Sequence, residues 1–270
     1  MAALRELVAE HPDLAPAAEL QIELAQITRR LSARAPLPFL APAPERQSAV
    51  ASGTRVLSYK DFRFDWSAVR LAVREVARAL ESVGALPRED SASVERLVRG
   101  ETPALERCLS VWFDARLDTS AAASDGPASD DGLHEVLDTA MRPFLMRAAS
   151  AALTGLDLAA WNKPCCPACG AEPDFAVITR DGKRNLCCHR CRTLWAWHAW
   201  ACPRCENDDR STISSFASRD GLYRIYACGK CMRYVKAFDG RNAPRPFLPD
   251  VDLIATLPLD AAAIQKGFNS

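Results

Sequence analysis

The sequence has no net charge: 34 basic residues balance 34 acidic ones. That argues against a chain built as a whole to coat nucleic acid or an anionic membrane, although charge can still be segregated locally. Long apolar runs are missing too, since no stretch reaches the roughly 20 residues of a membrane-spanning helix. Met1 to Leu14 carry Arg5, Glu6 and Glu10 without an apolar core segment, so no secretory leader is expected. Membrane insertion is therefore not expected, and the expected location is the cytoplasm. No catalytic triad stands out either.

What is abundant is cysteine in one place. Of 11 cysteines, ten lie between Cys165 and Cys231, in close pairs. In a reducing compartment such pairs bind metal more often than they form disulfides. At 270 residues the chain is long enough for two domains, and its character changes near Trp161.

Before that point the pattern is helical. Leu20, Leu24, Ile27 and Leu31 share one helix face, and Pro36, Pro38, Pro42 and Pro44 then break the pattern. Val69, Val73, Val76, Leu80 and Val83 repeat the spacing, with Asp65 or Ser67 as N-cap and Gly84 as the stop. A third helix runs through Leu105, Cys108, Leu109, Trp112 and Phe113. A fourth runs through Leu133, Val136, Leu137, Ala140, Phe144 and Leu145. The segment from Ser120 to Gly132 has little to bury and is expected to be a mobile loop. Cys108 is expected to be plain core.

After Trp161 the helical period gives way to short runs rich in β-branched and aromatic residues: 175–179, 194–200, 213–216, 222–226 and 234–238. Asp181-Gly182 and Asp220-Gly221 lie between such runs as hairpin turns. Four C-x-x-C pairs punctuate this region, Cys166/Cys169, Cys188/Cys191, Cys202/Cys205 and Cys228/Cys231. In such a knuckle, backbone amides point at two sulfurs that reach one ion, and a small residue such as Gly170 or Gly229 eases the bend.

Eighteen residues separate the first pair from the second and 22 the third from the fourth, each interval holding one Asp-Gly turn. Each hairpin therefore returns the later pair onto the earlier one. Cys166, Cys169, Cys188 and Cys191 should surround one ion, and Cys202, Cys205, Cys228 and Cys231 a second. All-sulfur tetrahedral coordination suits zinc and iron alike, and such closed sites are scaffolds by default. Cys165 and Cys187, each adjacent to a knuckle cysteine, are expected to be small buried or part-exposed thiols rather than ligands.

His189 and His198 are not needed as ligands. Trp195, Trp197 and Trp200 are expected to pack over the sites or against the helices rather than stack on bases. From Trp161 to Arg245 there are 15 Lys and Arg against 8 Asp and Glu. Two tetrathiolate zinc sites, each carrying about minus two, would remove more than half of that excess, which weakens the case for nucleic acid.

The cysteine string resembles the formate dehydrogenase accessory proteins called FdhE. It runs from Cys166-Pro167-Ala168-Cys169-Gly170 through Cys188-His189-Arg190-Cys191 to Trp195. It continues with Cys202-Pro203-Arg204-Cys205-Glu206, Cys228-Gly229-Lys230-Cys231 and Tyr234-Val235-Lys236. Asp252-Leu253-Ile254-Ala255 and Leu259-Asp260 look like the family's closing segment. The resemblance covers roughly the last hundred residues well and the helices near Ala25 and Trp112 more loosely.

It implies a non-enzymatic, cytoplasmic maturation factor that acts on the catalytic subunit of an exported respiratory formate dehydrogenase before translocation. It also implies two rubredoxin-like sites, with iron as the expected metal. The expected fold is α+β: a helical domain over 1–160, tandem rubredoxin-like or zinc-ribbon-like β modules over 161–245, and a tail over 246–270 that packs back on the body. A rubredoxin-type electron carrier and a zinc-ribbon nucleic-acid module are the alternatives. The helical part is surplus to the first, and the charge tally counts against the second.

Overall fold

The structure is a computed structural model, and it describes residues 1–114 and 131–269, the Asp131 side chain excepted. Ten α-helices and six strands are described, besides short 3-10 turns: α1 (Ala2–Glu10), α2 (Ala15–Ser32), α3 (Ala43–Ala51), α4 (Trp66–Ser82), α5 (Arg88–Arg99), α6 (Thr102–Asp114), α7 (Asp131–Ala140), α8 (Arg142–Leu153), β1 (Pro173–Ile178), β2 (Arg184–Cys188), β3 (Leu194–Ala196), β4 (Ile213–Ala217), β5 (Tyr223–Cys228), β6 (Arg233–Asp239), α9 (Pro249–Ala255) and α10 (Leu257–Gln265). None of the described helices is long and apolar enough to cross a membrane. The architecture is the mixed α+β expected from sequence.

Helix α4 is the centre of the helical part, packed by α2, α5 and α7. Asp65 is its N-cap, accepting from the backbone N–H of Ser67 at 3.0 Å and Ala68 at 3.3 Å, which satisfies two otherwise orphaned donors. Val69, Val73, Val76 and Leu80 are buried as their spacing requires. Val83 falls on the C-cap and is half exposed, and Gly84 ends the helix at φ +74°.

The stripe from Leu133 to Leu145 is two helices rather than one. Pro143 sits in the first turn of α8, where its missing N–H costs nothing, whereas inside a continuous helix it would break an i→i−4 bond. The loop expected over 120–132 lies outside the described residues up to 130, while Asp131 and Gly132 open α7. Cys108 is half buried at the edge of the core rather than within it.

The strands form one six-stranded sheet in the order β3-β2-β1-β6-β5-β4. The two Asp-Gly turns close the β1/β2 and β4/β5 hairpins, with Gly182 at φ +82° and Gly221 at φ +72°. The sequence suggested separate ribbons. Instead β1 and β6 pair in parallel, from Phe175 opposite Lys236 to Ile178 opposite Asp239. Of the run 194–200 only Leu194–Ala196 is strand, and β2 makes the six complete.

The C-terminal helices tie the two ends together. Val251 and Ile254 of α9 pack with Leu4, Leu14 and Ala18. Asp252, fully buried, accepts from Tyr223 Oη at 2.7 Å, Arg245 Nη2 at 2.6 Å and the Leu248 N–H at 2.6 Å. A buried carboxylate is tolerated when its lone pairs are answered in this way.

Candidate metal centres

Each C-x-x-C pair is built on the same turn. The residue that follows the second cysteine donates its N–H to the carbonyl of the first: Gly170 to Cys166, Arg192 to Cys188, Glu206 to Cys202 and Met232 to Cys228, at 2.9 to 3.1 Å. All four are left-handed, with φ of +79°, +58°, +57° and +56°. Among the described residues Arg192, Glu206 and Met232 are the non-glycine residues at positive φ, a conformation that costs roughly 1–2 kcal/mol each. Gly229 has a different task from Gly170. It is not left-handed but passes close to another strand: its N–H donates to Thr212 O at 2.8 Å, and a Cβ there would stand 3.3 Å from that oxygen.

The turns bring eight thiols into two groups of four, Cys166 with Cys169, Cys188 and Cys191, and Cys202 with Cys205, Cys228 and Cys231. Within each group the sulfurs lie within 4.8 Å of one another. In the first group, Cys166 and Cys191 are 3.5 Å apart, Cys169 and Cys188 3.5 Å, and Cys169 and Cys191 3.6 Å. In the second, Cys202–Cys231 and Cys205–Cys228 are both 3.7 Å. These gaps are far longer than a disulfide at about 2.05 Å. They match the edge of about 3.8 Å of a tetrahedron whose corners are 2.3 Å from a zinc ion. The donor set therefore fits two tetrahedral metal ions, and the pairing is the one the hairpins predicted. Cys165 and Cys187 stand outside both groups.

The thiols differ in their readiness to ionise. Burial pushes Cys166 well above its ordinary value, whereas Cys188 is drawn well below because contacts from Cys166, Cys169 and Cys191 outweigh its own burial. In the second group burial again opposes the thiolate. Backbone N–H groups of Cys231 and Lys230 overcome it at Cys228, which comes down to about 7, while Cys231 is pushed up to about 12. Bound metal resolves this rivalry for protons by keeping all four sulfurs as thiolates.

The surroundings separate the groups. The four sulfurs of the first belong to residues within the main core, continuous with α2, α4, α6, α7 and α8. The segment 56–57 hydrogen-bonds along the first knuckle, Val56 N–H to Pro167 O and Leu57 N–H to Ala168 O, both at 2.9 Å. Arg190, inside the second knuckle and 1% exposed, reaches Asp138 Oδ1 at 2.9 Å and the carbonyls of Trp112 and Phe113, and lies over the Trp112 ring at 4.1 Å. Sequence reading missed this residue; its place between two ligands was the available signal. His189 hydrogen-bonds the Glu172 carbonyl at 2.8 Å.

The second group lies nearer the surface, with Cys205 and Cys231 part-exposed and Met232 and Trp200 exposed beside it. Trp195 and Trp197 are buried, their indole N–H groups donating to Lys163 O and Ala201 O. Trp200 is the exception, 39% exposed. His198 pairs with Asn162 at 2.9 Å. Arg204 in the third knuckle pairs with Glu172, bridging the two halves of the sheet.

No family model matches the chain. It is 36% identical over 110 residues to the protein FdhE homolog of Shewanella oneidensis, a stretch covering 39% of this chain and 35% of that protein. It is 31% identical over 103 residues to the protein FdhE homolog of Erwinia tasmaniensis, covering 38% and 33%. The matched stretch thus spans about a third of the length of these curated relatives. The crystal structure of the FdhE protein from Pseudomonas aeruginosa shares the fold over 99% of this chain and 90% of that one, with a TM-score of 0.63 at 23% identity. The chain is thus similar in sequence to two FdhE homologues over its cysteine-bearing part and shares the fold of a solved FdhE protein.

Proposed function

We propose that the protein is an accessory factor for the maturation of respiratory formate dehydrogenase, binding the catalytic subunit in the cytoplasm before export, and that it is not itself an enzyme. The observation that carries this reading is the pair of tetracysteine groups on an FdhE-like fold. In this reading residues 1–160 are the helical domain, 161–245 hold two metal ions through the eight knuckle cysteines, and 246–270 lock the tail onto the body. Iron is the ion that the resemblance implies, and zinc is the other that four thiolates hold in this geometry.

The test is affinity capture from cells that make respiratory formate dehydrogenase, followed by complementation. The catalytic subunit should be captured by the native chain and by Cys165→Ala, and lost with Cys202→Ser/Cys205→Ser. The same double variant should fail to restore respiratory formate dehydrogenase activity in cells lacking the native protein. Capture of RNA or DNA in place of the subunit would overturn the reading.

The part-exposed second group also favours a second reading, electron transfer through iron. A captured subunit whose maturation proceeds equally with zinc-loaded and iron-loaded protein would remove it.

A further inference from the structure

Among the described residues three basic residues are buried as a whole: Arg184, Arg190 and Lys236. Two have carboxylates at hand, Arg190 with Asp138 at 2.9 Å and Lys236 with Asp260 at 2.6 Å. Arg184, 4% exposed, has none among its ion pairs or hydrogen bonds. Its Nη1 donates to the Ala201 carbonyl at 3.1 Å and reaches those of His198 and Ala199 at 3.5 Å, while Nε and Nη2 have no hydrogen-bond partner. The guanidinium lies over the Tyr226 ring, 4.7 Å from its centroid.

A cation withdrawn from water without a countercharge is strongly destabilising. Burial pushes the Arg184 guanidinium below its ordinary value, and the Tyr226 phenol and the Cys202 thiol oppose that shift. The same small cavity, about 10 Å³, is lined by Arg184, Tyr226, Cys202 and Cys228. That is room for about one water and not for an organic anion. Four thiolates around a divalent ion carry a net charge of about minus two, the largest negative charge this neighbourhood can offer.

We propose that Arg184 is the cation that balances the second metal–tetrathiolate centre and so holds its ion in place. The assignment rests on the reading of Cys202, Cys205, Cys228 and Cys231 as metal ligands. It has a consequence for the whole sheet. Arg184 opens β2, within the hairpin that closes the first group, but its charge serves the second. Occupancy of the surface centre is therefore tied to the packing of the interior one.

The experiment uses the full chain loaded with zinc and a chromogenic chelator. Metal content is measured first, then the rate of zinc release, for the native protein, Arg184→Lys, Arg184→Gln and Arg184→Met. Cys202→Ser/Cys205→Ser identifies the phase that belongs to the first group. Both neutral variants should release the second ion about tenfold faster or more, the usual scale for residues that support metal ligands. The slow phase of the first group should not change. Arg184→Lys keeps the charge and loses the three-carbonyl fork, and should stay within about threefold of native. Arg184→Met fills the space without bringing polar atoms of its own into it, so it reports even where Arg184→Gln fails to fold. Equal acceleration by Lys, Gln and Met would assign Arg184 to the carbonyls alone and overturn the proposal, as would no acceleration. Native protein with no second ion would overturn the metal reading and this one together, whereas two bound ions and unresponsive variants would overturn this one alone.

Discussion

The two cysteine groups share the C-x-x-C spacing and the turn geometry, yet one is interior and the other at the surface. The first is enclosed by the helical core and bolted to α6 and α7 through Arg190. The second leaves Cys205 and Cys231 part-exposed, beside Met232 and Trp200. What a four-thiolate site contributes is therefore decided less by the sulfurs than by what packs against them. Losing the first should remove a core, and losing the second should remove a surface.

The largest expected effect sets the two groups directly against each other. Cys166→Ser/Cys169→Ser should cost the fold of the whole chain, seen as loss of helical circular dichroism and aggregation. Cys202→Ser/Cys205→Ser should lose one ion and several kcal/mol locally while the helical signal persists. Equal damage from both would break the comparison.

Next comes the bolt itself. Asp138→Ala leaves Arg190 buried without its carboxylate and should destabilise by about 3–5 kcal/mol in denaturant unfolding. Release of the second ion should be unaffected. A smaller cost, under about 1 kcal/mol, would mean that the Trp112 and Phe113 carbonyls suffice for Arg190.

Acid sharpens the comparison from the other half of the sheet. Hydrogen bonds from Arg241, and then from Arg224, hold the Asp239 carboxyl well below the usual carboxylate range in spite of its burial. A carboxyl lowered in the folded state contributes stability that is present above its unfolded value of about 3.9 and is lost as the pH falls below it. Asp239→Asn should thus weaken the protein at pH 7 by about 1 kcal/mol or less, and the difference from native should close as the pH is taken below about 4. A gap that stays constant with pH would remove the ion pairs as its cause.

The smallest effect concerns the turn that the groups share. Met232 is 41% exposed and left-handed, so Met232→Gly relieves strain of about 1 kcal/mol or more while adding chain entropy of similar size. A net gain of a few tenths of a kcal/mol is expected in thermal unfolding. Arg192→Gly at the equivalent place should instead lose stability, because Arg192 also pairs with Asp174 at 2.8 Å.

Much of this was legible in the chain because it is local. A C-x-x-C pair makes its own turn, Asp181-Gly182 and Asp220-Gly221 make theirs, and the apolar stripe from Val69 to Leu80 needs only the helical period to declare its buried face. The errors also have local causes. The apolar stripe runs on through Pro143, so its spacing alone suggests one helix where Pro143 marks the start of a second. Gly229 was credited with a bend, although it makes room for the Thr212 carbonyl. The roles of Arg190 and Arg184 carry no local signal, because their partners lie far along the chain. Asp138 is 52 residues from Arg190, and Ala201 is 17 from Arg184.

By itself the sequence pointed to which eight sulfurs belong together and in which groups of four, because an Asp-Gly hairpin lies in the first interval and in the third, while the ten residues between Cys191 and Cys202 hold none. Only the tertiary structure decided that β1 would lie parallel to β6 and merge the two ribbons into one sheet. It alone decided that the first centre would be buried against the helices while the second stayed at the surface. Parallel pairing and burial are properties of segments brought together from distant parts of the chain, and no local spacing encodes which of two equivalent knuckles a core will enclose.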